Sequence, residues 1–153
     1  MSRLLIFTIF LLITFGAGFL GMFLGGDFMT YYMNLNRPFF SPEPFVFGIV
    51  WPVLYILIAL SAYMYFIKAK KDYKKGLFVF FLNLVLNSLW PFLFFGLKNP
   101  MLGLIGIIIL VGVTAINIYL FNKKSKRAAL FMAPYFLWIM FIAILNYSII
   151  ILN

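Results

Sequence analysis

The residues best suited to binding or chemistry are aromatic rings and carboxamides that recur at helical spacing within apolar stretches. Trp51 and Tyr55 are four residues apart, as are Asn83 and Asn87, and Trp90 follows three residues later. Steps of three and four place side chains on one face of an α-helix. Aromatic rings offer flat apolar surfaces and carboxamides offer hydrogen bonds. This combination is typical of a pocket for an apolar small molecule.

Several kinds of chemistry are excluded by residues that the sequence lacks. It has no His and no Cys, which removes thiol chemistry, disulfides, zinc sites, the usual haem ligands and triads built on histidine. Its three acidic residues, Asp27, Glu43 and Asp72, all fall outside the apolar stretches. Proton-coupled pumps need ionisable groups at membrane depth. The composition therefore favours binding over conventional acid–base or metal catalysis.

Composition indicates a protein of the lipid bilayer. Hydrophobic residues make up 66% of the chain and charged residues 10%, against roughly 45–50% and 25% in soluble domains. The net charge of +9 could suggest nucleic acid, but the basic residues cluster between apolar stretches. That placement is a membrane-topology signal. We therefore expect no nucleic-acid partner.

Five apolar stretches are long enough to cross a membrane, since a span needs roughly 20 apolar residues. They cover about 4–24, 45–67, 76–96, 101–121 and 128–152. The first exceeds the length of a signal-peptide core, so it is expected to be a retained helix. Open sheet edges cannot face lipid. The sequence therefore predicts an all-α integral membrane protein with a single domain, 1–153, formed by a bundle of five transmembrane helices.

The segment 25–44 is expected to cap a pocket. Pro38, Pro42 and Pro44 fix φ and remove backbone donors, which predicts a stiff loop. Ser41 followed by Pro42 is typical of a helix N-cap with proline in the first turn.

Proline occurs inside three of the predicted spans, and Pro134 lies early in the last of them. Pro52 and Pro91 should leave the carbonyls of Gly48 and Asn87 without partners. We expect both helices to bend there and widen one half of the bundle.

Alternative roles remain open for these polar and small residues. Asn83, Asn87 and Asn146 either contact a ligand or form interhelical hydrogen bonds, which average roughly 0.6 kcal/mol in membranes. Deep tryptophans beside prolines favour a pocket. The Gly21-x-x-x-Gly25 spacing indicates close helix packing. The last span adds a similar aromatic and amide face: Pro134, Tyr135, Trp138, Phe141, Ile142 and Asn146.

Four blocks of residues, taken together, resemble a known family. The first-loop block is Tyr31, Tyr32, Leu35, Arg37, Pro38, Phe40 and Pro42. The second-span block is Trp51, Leu54 and Tyr55. The third-span block is Asn83, Leu84, Leu86, Asn87, Trp90, Phe94 and Phe95. The last-span block is Pro134, Tyr135, Trp138, Phe141, Leu145 and Asn146. This pattern resembles the translocator protein family, also called tryptophan-rich sensory proteins or peripheral benzodiazepine receptors.

The resemblance implies a homodimer in a bacterial cell membrane, with a ligand pocket between the helices under the first loop. Implied ligands are porphyrins such as protoporphyrin IX, haem-like tetrapyrroles and, in mitochondrial members, sterols. No cofactor or metal is required. Asn83 replaces a glutamine of the pattern and Ile142 an alanine; both changes alter the pocket wall, so the family's individual ligand preferences are not carried over. The candidate ligand-binding residues are Tyr32, Pro42, Phe47, Trp51, Tyr55, Asn83, Asn87, Trp90, Trp138, Phe141 and Ile142.

Three functions are compatible with this resemblance. The first is a membrane receptor or sensor that binds porphyrins in the pocket. The second is a light- and oxygen-dependent porphyrin-degrading activity that uses Trp51 and Trp138, in which the pigment carries the difficult chemistry. The third is a tetrapyrrole or sterol carrier. Because His and Cys are absent, binding by shape suits a metal-free porphyrin better than a ligated haem.

The loops predict the orientation of the chain. Arg3, the 68–75 segment and the 123–127 segment lie on one side and carry ten Lys and Arg residues, whereas the opposite loops carry only Arg37 and Lys98. Positively charged loops face the cytoplasm. We therefore expect a cytoplasmic N-terminus and an external C-terminus.

A periplasmic reporter fused after Asn153 should be active, and activity of a cytoplasmic reporter there instead would refute this orientation.

Overall fold

The computed structural model describes residues 2–153, and the described range is almost entirely helical. The helices are α1 (Arg3–Gly25), α2 (Phe28–Asn34), α3 (Pro44–Ala69), α4 (Lys74–Pro91), α5 (Pro100–Asn122) and α6 (Lys126–Leu152). A 3₁₀ turn, Lys70–Asp72, follows α3, and a π-helix, Phe92–Gly96, follows α4. All of these α-helices except α2 are long and apolar enough to cross a membrane. The predicted all-α membrane protein with five spanning helices is confirmed.

The capping segment differs from the predicted loop because it contains a helix. Asp27 caps α2 by accepting a hydrogen bond from the Thr30 amide, at 3.2 Å. No glycine or proline interrupts residues 27–37, so a helical turn can form before the prolines begin. The prediction overlooked this stretch because the prolines that follow it dominate the pattern.

The N-cap predicted for α3 is wrong, although the helix begins within one residue of the predicted start of the span. Ser41 does not cap the helix; its amide instead donates to the Pro38 carbonyl in a turn, at 3.0 Å. The helix begins at Pro44, after Glu43, which makes no side-chain capping bond. Pro44, and not Pro42, takes the first helical position, where a missing N–H costs nothing.

The spanning helices form a closed ring. Around it the order is α1, α3, α6, α5 and α4, and α4 packs back against α1. Few contacts join α3 directly to α4, so α1 lies across the gap between them. The capping segment with α2 joins α1 to α3 at the end of the bundle where α1 ends.

Glycines bring α1 close to α4. A β-carbon at Gly21 would lie 3.2 Å from the Ser88 α-carbon, and one at Gly25 would lie 3.3 Å from the Pro91 β-carbon. The Ser88 hydroxyl donates to the Ala17 carbonyl across the same contact, at 2.7 Å. The glycine spacing in α1 therefore serves close helix packing, as the sequence indicated.

Pro52 and Pro91, the two prolines at which bends were expected, have different local consequences. Pro91 ends α4, and the chain continues as the π-helix, in which the Leu97 amide donates to the Phe92 carbonyl at 2.8 Å. Proline lacks the N–H that the α-helical pattern needs, and π-helical turns occur where that pattern is disturbed. By contrast, α3 is continuous through Pro52. The bend expected at Pro52 stays a prediction.

A chain of buried hydrogen bonds ties four of the spanning helices together. The Tyr55 hydroxyl on α3 donates to the Asn87 carboxamide oxygen on α4, at 3.2 Å. The Asn87 amide donates to the Tyr135 hydroxyl on α6, at 3.1 Å, and that hydroxyl donates to the Asn83 carboxamide oxygen, also at 3.1 Å. The Asn83 amide then donates to the Thr114 hydroxyl on α5, at 2.6 Å. We refer to Tyr55, Asn87, Tyr135, Asn83 and Thr114 as the polar chain.

The hydrogen bonds of the polar chain all run in one donor-to-acceptor direction, and the last of them ends on a backbone carbonyl of the protein. The Thr114 hydroxyl donates a hydrogen bond to the Leu110 carbonyl, at 2.7 Å, so each hydroxyl after Tyr55 both accepts and donates. Asn83, Thr114 and Tyr135 are fully buried. Hydrogen bonds in such series polarise one another, and a buried group without a partner is costly.

We expect Tyr135→Phe to destabilise the bundle by about 1–2 kcal/mol, because it leaves the Asn87 amide and the Asn83 oxygen without partners. Thermal unfolding in detergent micelles measures the effect. Tyr147→Phe is the matched control, since Tyr147 is exposed on the same helix, and it should change stability by less than about 0.5 kcal/mol. Equal stability of the two variants would contradict a structural role for the polar chain.

Candidate functional site

The main cavity lies beneath the α2 segment, between α1, α3 and α4. Its volume is about 360 Å³, within the range of roughly 300–1,000 Å³ typical of small-molecule sites. It is lined by Phe15, Gly18, Phe19, Gly21, Met22, Gly25, Phe28, Tyr32, Phe47, Gly48, Trp51, Pro52, Tyr55, Asn87, Trp90, Pro91 and Phe95.

Six of the eleven predicted ligand-binding residues lie in this wall. They come from α2, α3 and α4 and are Tyr32, Phe47, Trp51, Tyr55, Asn87 and Trp90. The other five lie outside it, namely Pro42, Asn83, Trp138, Phe141 and Ile142. The structure therefore brings together the predicted residues of α2 and α3 and two of the three from α4. It leaves Asn83, Pro42 and the three residues of α6 out of the wall.

Trp138 is the main difference from the expected site. Trp51 and Trp138 were expected to face one pocket, but only Trp51 lines the cavity. Trp138 lies one ring further away and packs edge-on against Phe47, with ring centroids 5.9 Å apart. The reason is the order of the helices: α1, and not α6, supplies the wall opposite α3 and α4.

The other residues outside the wall have local structural contacts. Asn83 is fully buried within the polar chain. The Pro42 carbonyl accepts a hydrogen bond from the Tyr32 hydroxyl, at 2.9 Å. Phe141 packs against Phe40 of the capping segment, with centroids 6.2 Å apart. Ile142 borders an adjoining crevice of only about 10 Å³, which shares Tyr32 and Phe47 with the cavity wall.

The positions of the three asparagines distinguish between ligand contact and interhelical hydrogen bonding. Asn83 joins helices inside the bundle, and the Asn146 amide joins α6 to the Pro100 carbonyl at the start of α5, at 3.0 Å. Asn87 is suited to both roles, because it belongs to the polar chain and also lines the cavity.

The wall contributed by α1 was missed by the sequence interpretation. Phe15, Phe19 and Met22 provide apolar side chains there. Gly18 lets the Tyr55 ring lie directly against the helix, in the space that a β-carbon would occupy. The signal that could have revealed this wall is the run of small residues at Gly18, Gly21 and Gly25, which shows where α1 approaches other helices closely.

The wall is apolar and aromatic, with its polar atoms concentrated at the Tyr55 and Asn87 end. Trp51 stacks on Tyr55, with ring centroids 5.6 Å apart and planes 26° apart. No charged side chain lines the cavity. Among residues 2–153, no cluster of three metal-ligating side chains occurs. The site therefore suits a flat apolar body that makes a few hydrogen bonds at one end.

The roof of the cavity is held by Tyr32. Its side chain is 3% exposed, its ring packs edge-on against Phe47 at 5.5 Å, and its hydroxyl bonds to Pro42 as described. The guanidinium of Arg37 lies over the same ring, 4.8 Å from the centroid. The capping segment thus closes over the cavity through contacts centred on one aromatic ring.

Charged groups lie only at the two ends of the bundle. Near the roof, hydrogen bonds from Thr30 lower the pKa of Asp27, and the charge of Lys98 lowers it further. At the opposite end, Asp72 pairs with Lys124 at 2.9 Å, and this contact lowers the pKa of the Asp72 carboxyl. Both carboxylates are exposed, so the Asp72–Lys124 ion pair contributes little to stability.

Comparisons with known proteins agree with this architecture. The TspO/MBR family pattern matches residues 9–152. The chain is 36% identical to the "Tryptophan-rich protein TspO" of Archaeoglobus fulgidus over 94% of both chains. It is 28% identical to the human "Translocator protein", over 85% of this chain and 82% of the relative. It is also 28% identical to the "Tryptophan-rich sensory protein" of Cereibacter sphaeroides, over 80% and 77%. The chain is therefore a multi-pass membrane protein that belongs to the TspO/MBR family.

Proposed function

We propose that this protein is a membrane receptor or sensor that binds a porphyrin, such as protoporphyrin IX, in the cavity beneath the α2 segment. The observation that carries the proposal is an uncharged aromatic cavity with a carboxamide and a phenol at one end. A tetrapyrrole is flat and apolar over most of its area and carries its polar substituents at the edge. Stacking on the rings and hydrogen bonding to Asn87 would match both properties.

Trp51 is the most informative contact for this proposal. It is half-buried, lines the cavity, and has one neighbouring ring, Tyr55, already stacked against it. A second neighbour, Tyr135, lies with its centroid 6.4 Å away and fixes the indole from α6. An indole held on two sides presents a preorganised surface to a ligand, which reduces the entropy cost of binding.

We expect Trp51→Ala to weaken binding of protoporphyrin IX at least about thirtyfold, the usual cost of truncating a buried aromatic contact. Trp51→Phe should retain much of the affinity, because an aromatic face remains. Trp138→Ala is the matched control and should have a smaller effect, since Trp138 reaches the cavity only through Phe47. Titration of purified protein in detergent, followed by porphyrin absorbance, measures all three. Unchanged affinity in Trp51→Ala would refute binding at this cavity.

A second candidate function is light- and oxygen-dependent degradation of the bound porphyrin. The specific observation in its favour is that Trp51, an oxidisable indole, forms part of the cavity wall. An illuminated porphyrin activates oxygen, and the pigment supplies that chemistry itself. The protein would position the pigment beside an indole and restrict its exposure to water.

We expect Trp51→Phe to reduce light-dependent bleaching of the porphyrin strongly while binding persists, because phenylalanine is much harder to oxidise than tryptophan. The family resemblance implied this role for Trp138 as well, whereas its position behind Phe47 predicts a smaller effect for Trp138→Phe. Bleaching is measured from pigment absorbance under illumination at matched porphyrin occupancy. Equal bleaching by wild type and the Trp51/Trp138 double phenylalanine variant would eliminate the chemical role and leave the receptor.

A further inference from the structure

Arg37 holds a positive charge at the roof of the cavity in an unusual setting. Its guanidinium lies over the ring of Tyr32, 4.8 Å from the centroid, and Tyr32 is itself part of the cavity wall. The charge is therefore one aromatic ring away from the cavity. A cation–π contact of this kind uses the ring face and leaves the N–H donors of the guanidinium available.

No carboxylate neutralises Arg37 within the described part of the chain. The single ion pair found among residues 2–153 joins Lys124 to Asp72 at the opposite end of the bundle. Lys98, the other basic residue on the roof side, differs because its charge acts on Asp27. Among the described residues at this end of the bundle, Arg37 is thus the cation that can still form an ion pair with a ligand carboxylate.

The backbone on both sides of Arg37 is fixed. The Asn36 amide donates to the Asn153 side-chain oxygen at 3.0 Å, and the Asn36 carbonyl accepts from the Asn153 side-chain amide at 2.9 Å. The Asn36 side chain also donates to the Leu152 carbonyl at 3.3 Å. Pro38 follows and restricts φ. A guanidinium presented from such a fixed segment loses less freedom on binding than one on a mobile loop.

The cavity itself offers no place for a ligand charge. Its wall is apolar apart from the groups near Tyr55 and Asn87 and carries no cation, and burying an unpaired carboxylate in such surroundings is very unfavourable. Any acidic group of a bound molecule must therefore remain at the rim. Arg37 does not line the cavity; its half-buried guanidinium lies against the Tyr32 ring. A ligand carboxylate that extends past Tyr32 would meet planar donors there whose geometry matches a carboxylate.

We propose that Arg37 is the specificity-determining residue for an anionic edge of the ligand. This inference rests on the proposed porphyrin-binding function. It identifies the ligand class as flat apolar molecules that carry carboxylate groups on one side, with the apolar body in the cavity and the carboxylates beside Arg37. Free carboxylate porphyrins are preferred to their neutral esters.

The test compares protoporphyrin IX with its dimethyl ester, which has the same flat body but no ionisable carboxylates. Both are titrated into wild-type protein, Arg37→Gln, Arg37→Lys and the control Lys98→Gln in a neutral detergent. We expect Arg37→Gln to weaken binding of the diacid about fivefold, as for a partly exposed ion pair, and to leave binding of the ester unchanged. Arg37→Lys should retain part of the preference, and Lys98→Gln should change neither affinity.

The ester also reports whether the roof remains intact. If Arg37→Gln weakens the diacid and the ester equally, Arg37 only supports the Tyr32 ring and the inference is wrong. If wild type binds both and Arg37→Gln changes neither, the carboxylates do not contact Arg37 and the inference fails while the proposed function stands. If wild type binds neither molecule, the proposed function itself fails.

Discussion

The buried polar chain from Tyr55 to Thr114 is the constraint on which the rest of the bundle depends. In a bilayer, apolar side chains gain little by leaving lipid for another helix, so close packing and interhelical hydrogen bonds determine which helices associate. The polar chain runs from α3 through α4 and α6 to α5 in one donor-to-acceptor direction. Sliding any of these helices by one turn would break it. It therefore fixes the heights of four helices relative to one another.

The fifth spanning helix, α1, is positioned by a different interaction. Helix α1 contributes no residue to the polar chain. It is held instead by close packing at Gly21 and Gly25 and by the hydrogen bond that the Ser88 hydroxyl donates to the Ala17 carbonyl. These contacts hold it close to α4, while the Tyr55 ring lies against Gly18 on the α3 side. Because α3 and α4 have few direct contacts, α1 covers a gap that their own side chains do not fill. The cavity lies where α1, which is held by close packing, covers the gap between α3 and α4, which belong to the hydrogen-bonded group of helices.

Features that depend on local sequence could be predicted, and features that depend on neighbouring helices could not. The five spans and the shared face of Asn83, Asn87 and Trp90 follow from apolar length and helical period. The position of Trp138 does not, because periodicity shows which face of α6 it occupies but not whether α6 borders the cavity. The α1 wall was missed for the same reason. Helix α2 was missed because the local signal of the prolines after it was stronger.

Asn87 shows why ligand selection is better placed at the roof than at the polar end of the cavity. Its carboxamide oxygen already accepts from Tyr55, and its amide already donates to Tyr135. Each of these groups has capacity for one further hydrogen bond, so a ligand could bind there without breaking the polar chain. Changing Asn87 to alter ligand preference would, however, break two bonds that hold α3 and α6 to α4. Arg37 is not a member of the polar chain, so the substitutions proposed there are expected to leave the hydrogen bonds between the helices in place.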